Sequence, residues 1–336
     1  MSIRAAMLIL CLLVSCASSP STDFSDPSDA ADSSLAPFES DVLESGDFCS
    51  RAYLQVLGVA QDAGYPHSGC YEDHCQRAWQ DHKLKRYVSC LALVDGVAKR
   101  KFLFDATPDL PAQLQALQAN APDEQVALEG VFLTHGHMGH YTGLMHFGRE
   151  AQGADGITVF AMPRMFEYLV NNGPWSQLVS LGNIRLVGLA PGRVQQVTED
   201  LQVTPLQVPH RDEFTETVGF LIEGPHKTAL FLPDIDKWHR WQTDIRTLIA
   251  EVDYAFLDAT FFAADELPGR DMSEIPHPYV EESFALFADL HPEQKAKIHF
   301  IHFNHTNPLL IDGSEAQREV EARGFRIAKQ GMILPM

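Results

Sequence analysis

An α/β fold, two sheets packed face to face with helices outside them, is the class that the sequence predicts. Three observations predict it. About 290 residues follow a short leader and tether, one large domain's worth, in a chain that is 45% apolar and can fill a core. β-type runs alternate with hairpin connections and helical stretches. Several of the apolar runs stop at a histidine or an aspartate, which places polar side chains at strand ends.

In chain order, strands are expected at Tyr53–Ala60, Tyr87–Val94 and Lys101–Asp105, then a helix at Pro108–Ala119. Gly130-Val131-Phe132-Leu133 reads as a buried strand, and His140 to Met145 opens a helix. A strand at Ile157–Met162 and a helix at Arg164–Asn171 follow. Strands near Leu201–Val208, Val218–Glu223 and Ala229–Leu232 precede a helix at Trp238–Ala250. The remainder reads as a strand at Tyr254–Leu257, a helix at Pro278–Leu290, a strand at Ile298–Phe303 and a terminal helix before Met332–Leu334. No internal repeat is evident.

The leader has the form of an export signal. Arg4 precedes an apolar run, Ala5 to Val14, far too short to span a bilayer. Residues 1–16 end in Leu13-Val14-Ser15-Cys16, which resembles the bacterial lipobox. That resemblance implies lipidation of Cys16, and Ala17 behind it implies outer-membrane delivery and a periplasm-facing protein. Residues 17–47 are rich in Ser, Asp, Pro and Ala, with eight carboxylates and no Lys or Arg, the composition of a disordered tether. Setting aside those eight acids and Arg4 leaves −13 of the formal charge of −20 on residues 48–336. Such a surface argues against duplex nucleic acid as a partner, because phosphates need Lys and Arg. A small-molecule substrate remains, and the membrane would be met through the lipid anchor. Oligomeric state is left open, a homodimer included.

The chemistry is concentrated in Leu133-Thr134-His135-Gly136-His137-Met138-Gly139-His140. Residues two apart near a strand end point the same way, and glycines let the third histidine swing back. Three converging imidazoles suit Zn²⁺ or a similar borderline metal. Further donors stand behind later apolar runs: His210 after Leu206-Gln207-Val208-Pro209, Asp234 after Leu230-Phe231-Leu232-Pro233, and His302 after Ile298-His299-Phe300-Ile301. Asp212 and Glu213 read as a polar turn. Cys49, Cys70, Cys75 and Cys90 allow two disulfides in three pairings in an oxidising compartment, and Cys90 reads equally as a buried thiol.

From Arg51 to Met336 these motifs resemble the metallo-β-lactamase-fold superfamily of metal-dependent hydrolases. The resemblance implies an αββα sandwich with a one- or two-metal site at one sheet edge. It assigns His135, His137 and His210 to a first metal, His140 and His302 to a second, and Asp234 to a bridge, with Asp236 as the alternative bridge. One position departs from the pattern: Gly139 stands where the superfamily has an aspartate that ligates the second metal. The segment from Gly58 to Pro66 with Cys70, and that from Phe300 to Pro308, resemble the pyrroloquinoline-quinone biosynthesis B protein. They also resemble phosphodiesterases of the carbon–phosphorus lyase pathway, which implies a structural zinc site at Cys70, Glu72, Cys75 and His305. Leu257-Asp258-Ala259-Thr260-Phe261 with His277 resembles the tRNA-processing endonuclease branch, which implies His277 as general acid and Asp258 as its support.

The expected function is therefore an exported, lipid-anchored metallo-hydrolase acting on a small phosphodiester or related ester. Its cofactor would be one or two Zn²⁺ ions, with Mn²⁺ or Fe²⁺ as alternatives. Zinc held by neutral imidazoles lowers the pKa of a bound water from about 15.7 to about 7 and so makes hydroxide at neutral pH. Two other readings stand beside it. One is an iron-dependent oxidative enzyme like the quinone-biosynthesis protein; the other is a non-catalytic metal-binding surface lipoprotein. The segment Asn172–Ser180, with Gly173-Pro174-Trp175, and that from Ala263 to Pro276 are read as loops that set the substrate, with Trp175 packing its loop.

Overall fold

The computed structural model describes residues 51–336. The expected export signal with Cys16, the expected tether and Cys49 lie outside the described residues.

Two seven-stranded mixed sheets form the centre. The first contains β1 (Ala52–Gly58), β2 (Cys90–Asp95), β3 (Arg100–Phe104), β4 (Ala127–Phe132), β5 (Ile157–Ala161) and β6 (Ile184–Gly188), with the last strand, β14 (Ile333–Pro335), beside β1. The second runs from β7 (Gln195–Gln196) through β8 (Gln202–Gln207), β9 (Val218–Glu223), β10 (Thr228–Leu232), β11 (Tyr254–Asp258) and β12 (Ile298–Ile301) to β13 (Arg326–Ile327). Helices lie at α1 (Asp73–Gln80), α2 (Leu110–Gln118), α3 (Met138–Tyr141), α4 (Pro163–Asn171), α5 (Trp175–Ser180), α6 (Ile245–Glu251), α7 (Val280–Leu286), α8 (Pro292–Lys295) and α9 (Glu315–Ala322). Among the described residues no helix is long and apolar enough to cross a membrane.

Alternation along the strands builds the layers. In β1 to β5, Leu54, Val56, Leu91, Leu93, Phe102, Phe104, Phe132 and Phe160 face the other sheet. Their neighbours Tyr53, Leu57, Ala92, Leu103, Val131 and Val159 form a separate core with residues of α2, α4 and α5. Across the sheet interface Phe104 meets Phe220 at 5.4 Å and Phe231 at 6.0 Å between ring centroids, and Phe132 stacks on Phe160 at 4.2 Å. Each such ring contributes roughly 1.5–3 kcal/mol by leaving water.

Strand direction positions the site. β1 and β3 are both antiparallel to β2, and β3, β4 and β5 are parallel. β8 and β10 are both antiparallel to β9, and β10, β11 and β12 are parallel. In each sheet, then, the strands that precede the polar residues run the same way, and their C-terminal ends share an edge.

The structure departs from the expected elements where side chains compete with the backbone. Tyr87–Ser89 do not continue β2: the Val88 N–H donates to Asp109 at 3.0 Å and its carbonyl accepts from Gln113 at 2.7 Å. The single helix expected at Trp238–Ala250 is a 3₁₀ turn, Trp238–Arg240, then α6, whose first turn is capped by Asp244 accepting from the Arg246 N–H at 3.0 Å. α7 is shorter than Pro278–Leu290. Asn172–Ser180 is largely helix α5 rather than loop, and Trp175 packs there against Tyr141 at 5.0 Å. α1, β6, β7 and β13 have no counterpart in the expected elements.

One buried group makes the fold acid-sensitive. His299 on β12 packs against Phe256 at 5.3 Å. Burial lowers its pKa to about 4, against the small opposing effect of its bond to the Lys297 carbonyl. A histidine held neutral contributes stability above its unfolded pKa, about 6.5, and loses it as pH falls towards 4. Between pH 7 and pH 4.5 this group should account for about 2 kcal/mol of lost stability. Urea unfolding of His299→Phe at both pH values should show that much less acid destabilisation than the parent chain; equal losses would refute the assignment.

Candidate metal centre

The residues that follow β1, β3, β4, β8, β10, β11 and β12 meet at the shared edge. His135, His137, His210 and Asp234 offer donor atoms that all lie within 4.8 Å of one another. His135 Nε2 is 2.8 Å from His137 Nδ1 and 3.2 Å from Asp234 Oδ2, and His210 Nε2 is 3.2 Å from Asp234 Oδ1. A second group, Asp62, His140 and His302, meets the same limit, as does Asp234 with Asp258, His277 and His302. Asp234 Oδ2 lies 3.7 Å from His140 Nε2, so this carboxylate stands between the two imidazole sets. Asp236 does not: its Oδ1 lies 3.2 Å from His210 Nδ1, and Oδ2 accepts from Arg240 at 2.8 Å.

Each imidazole is fixed by its other nitrogen. His140 Nδ1 donates to Asp105 at 2.7 Å. Thr134 Oγ1 donates to Asp105 at 2.9 Å and takes the His135 Nδ1 proton at 2.9 Å. Thr260 Oγ1 serves His302 Nδ1 in the same way at 2.9 Å while donating to Asp258 at 2.7 Å. His137 Nε2 donates to Glu213 at 3.1 Å. The nitrogens left over, Nδ1 of His137 and Nε2 of the other four, are the ones that converge. Carboxylate and hydroxyl partners of this kind fix the tautomer and raise the basicity of metal-ligating histidines. Asp105 and His302 adopt φ of 70° and 69°, a left-handed conformation that costs about 1–2 kcal/mol for such residues and recurs where side chains must be aimed.

The pocket fits a cation on its own chemistry. His210 Nε2, His302 Nε2 and Asp234 Oδ1 are buried and make no hydrogen bond, although partners stand nearby. Buried polar atoms are otherwise almost always satisfied. Burial and then the neighbouring His140 hold His135 neutral, well below the ordinary histidine range. Burial raises the Asp234 pKa, but His210 and His277 outweigh it and keep the carboxylate ionised. Three imidazoles and a carboxylate are the donors that zinc and other borderline divalent metals take.

His277 and Asp258 lie in the same cluster. His277 Nδ1 donates to Asp258 at 2.8 Å and stands 3.2 Å from Asp234 Oδ1. Burial lowers its pKa, yet the charges of Asp258 and Asp234 prevail and raise it to about 9. Asp258 also accepts from the Ile235 N–H at 3.0 Å, tying the histidine to the loop that carries Asp234.

The second expected group is assembled differently from the reading of the sequence. Cys70, His74 and His305 bring donors within 4.8 Å, with Cys70 Sγ 3.3 Å from His74 Nε2. Glu72 is exposed ahead of α1 and takes no place in the cluster; His74, two residues further on in the first turn of α1, does. Burial, then Cys70, push the Cys75 thiol up to about 12, and the cluster of converging donors consists of Cys70, His74 and His305 without it. Cys70, Cys75 and Cys90 are all free, and no disulfide joins the described cysteines.

Sequence reading missed Asp62, Asp105, Thr134 and Thr260 and took Glu213 for part of a polar turn. Asp105 carried a usable signal, since it ends the apolar run Phe102-Leu103-Phe104 as Asp234 ends its own.

Comparison with known proteins agrees with this architecture. A family profile described as Beta-lactamase superfamily domain matches residues 100–300. The coenzyme PQQ synthesis protein B of Methylobacterium nodulans is 30% identical over 306 residues, covering 83% of this chain and 98% of that protein. The crystal structure of Zn²⁺-bound PqqB from Methylobacterium extorquens superposes with a TM-score of 0.71 at 25% identity, over 84% of this chain and 100% of that one. A diphosphatase of the PhnP family, at 22% identity and a TM-score of 0.59 over 85% and 97% of the two chains, shares the fold. The two mixed sheets with outer helices are thus a metallo-β-lactamase fold, and the chain belongs to the β-lactamase superfamily domain family.

Proposed function

We propose that this protein is a metal-dependent hydrolase of a small phosphodiester or related ester, with zinc as its metal, exported and held to a membrane by a lipid on Cys16. The observation that carries the catalytic part is the convergence of His135, His137, His210 and Asp234 donor atoms within 4.8 Å. The export part rests on the sequence of residues 1–16 alone.

His135, His137 and His210 would hold the metal, and Asp234 would face it and the neighbouring His140–His302 pair. When bound, such an ion supplies Lewis acidity and lowers the pKa of water to about 7. Asp234, kept ionised by the surrounding histidines, would orient the attacking water. His277, held by Asp258, carries a proton that it can deliver to a leaving oxygen through Nε2. The burial of Asp234, 3% exposed, and His302, 0% exposed, keeps competing solvent from these groups.

A second reading is favoured by one observation, the 30% identity to a coenzyme PQQ synthesis protein B: an iron-dependent oxidation of a quinone precursor. Purified protein should contain at least one zinc or manganese per chain and hydrolyse a bis-aryl phosphate. Metal-free protein with no turnover after zinc or manganese supplementation would end the hydrolase reading. Iron with oxygen consumption, and no hydrolysis, would replace it with the second.

A further inference from the structure

His140 and His302 form half of a second donor set, and the chain has no side chain at the position immediately before His140 with which to complete it. Position 139 is glycine, and its surroundings explain why. A Cβ there would stand 2.4 Å from the Asp62 Cα, 2.6 Å from Asp62 Oδ1 and 2.7 Å from Asp62 Cβ. Real Cβ atoms do not approach other atoms so closely, so any side chain at 139 and the present place of Asp62 exclude each other. The space beside His140 is filled from another part of the chain.

Asp62 reaches it from the segment after β1. Its Oδ1 lies 3.1 Å from His140 Nε2 and 3.7 Å from His302 Nε2. Neighbouring backbone bonds hold it there: the Gln61 N–H donates to the Phe303 carbonyl at 2.8 Å, and the Phe303 N–H returns to Val59 at 2.8 Å. The loop carrying Asp62 is thereby stitched to the strand end carrying His302. Independently of this geometry, His302 Nε2 is fully buried and has no hydrogen-bond partner, although it faces Asp62 and Asp234. Two imidazole nitrogens and two carboxylates aimed at one place suit a divalent cation such as Zn²⁺, Mn²⁺ or Fe²⁺.

We infer that Asp62 is a ligand of a second divalent cation, held with His140, His302 and the shared Asp234, and that Gly139 is the vacancy which admits it. The inference rests on the hydrolase reading only in sharing Asp234; the first pocket is complete without Asp62. It also ties the N-terminal loop to metal loading, because Asp62 and His140 follow strands of one sheet and His302 and Asp234 follow strands of the other.

Zinc content by plasma mass spectrometry and zinc titration calorimetry test it directly. The parent protein should bind two ions per chain in this centre, the weaker of which is lost in Asp62→Ala while the first is kept. The retained ion also reports that the variant is folded. Loss of affinity at the second site should exceed the roughly 10–100-fold that follows removal of a ligand's hydrogen-bond partner. Gly139→Asp should clash and lower the melting temperature, and Asp62→Gly should not relieve it, because the shortest contact is with the Cα at position 62, 2.4 Å away, which every residue keeps. To separate these ions from any at the Cys70 cluster, the measurements use a Cys70→Ala, His305→Ala background. A parent that binds one ion there, unchanged by Asp62→Ala, overturns the inference and leaves the hydrolase reading standing. A parent that binds none refutes both.

Discussion

The His137→Ala variant should lose the first-site metal and, with it, essentially all hydrolysis, while remaining folded. His137 supplies Nδ1 to the pocket and its side chain is 13% exposed, unlike His135 at 1%. Its outward nitrogen meets Glu213, which is 47% exposed and is rehydrated at little cost when the imidazole is removed. Truncation therefore removes a ligand without stranding a buried charge, the event that makes such substitutions unfold proteins. Zinc affinity should fall by more than about 100-fold, beyond the effect of losing a ligand's hydrogen-bond partner. Paired measurements of zinc affinity and melting temperature check this. Undiminished zinc binding and turnover would remove His137 from the centre.

The second large effect belongs to His277→Gln. A positioned general acid contributes about 10²–10⁴-fold, and only when the leaving oxygen needs a proton. The variant should therefore lose that factor in kcat on an alkyl phosphodiester and far less on a bis-nitrophenyl ester, whose leaving group departs as a stable anion. KM should change little, since the histidine is anchored by Asp258 at 2.8 Å rather than by substrate. A uniform loss across leaving groups would make His277 a support for Asp234 instead. Asp258→Asn should reproduce the leaving-group dependence in weaker form, because it removes the charge that keeps His277 protonated.

The sequence made the strand-end donors legible because each follows an apolar run, and a chain leaving a buried strand turns polar where it meets solvent or a site. His135, His137, His140, His210, Asp234 and His302 all obey that pattern, and the structure brings them together where the C-terminal strand ends of the two sheets meet. The superfamily likeness contributed what local pattern could not, namely which strand ends lie side by side. What escaped was set by tertiary contact. Asp62 looks like an ordinary loop aspartate until the Phe303 backbone bonds bring it beside His140. Glu213 reads as turn chemistry until Arg164 donates to the Asp212 carbonyl at 3.0 Å and the turn folds over His137. The resemblance points to Glu72, whereas α1 turns residue 74 towards Cys70. Edge strands β6, β7 and β13 are short or polar, with too little burial to leave an alternating pattern.

The expectations for His137 and His277 need a cation where the imidazoles meet. Diffraction at the zinc absorption edge, from crystals grown with one or two equivalents of zinc, looks for it without assuming any activity. An anomalous peak enclosed by His135 Nε2, His137 Nδ1, His210 Nε2 and Asp234 is the predicted result. Density free of any peak there, with zinc found only beside Cys70, His74 and His305, would contradict it.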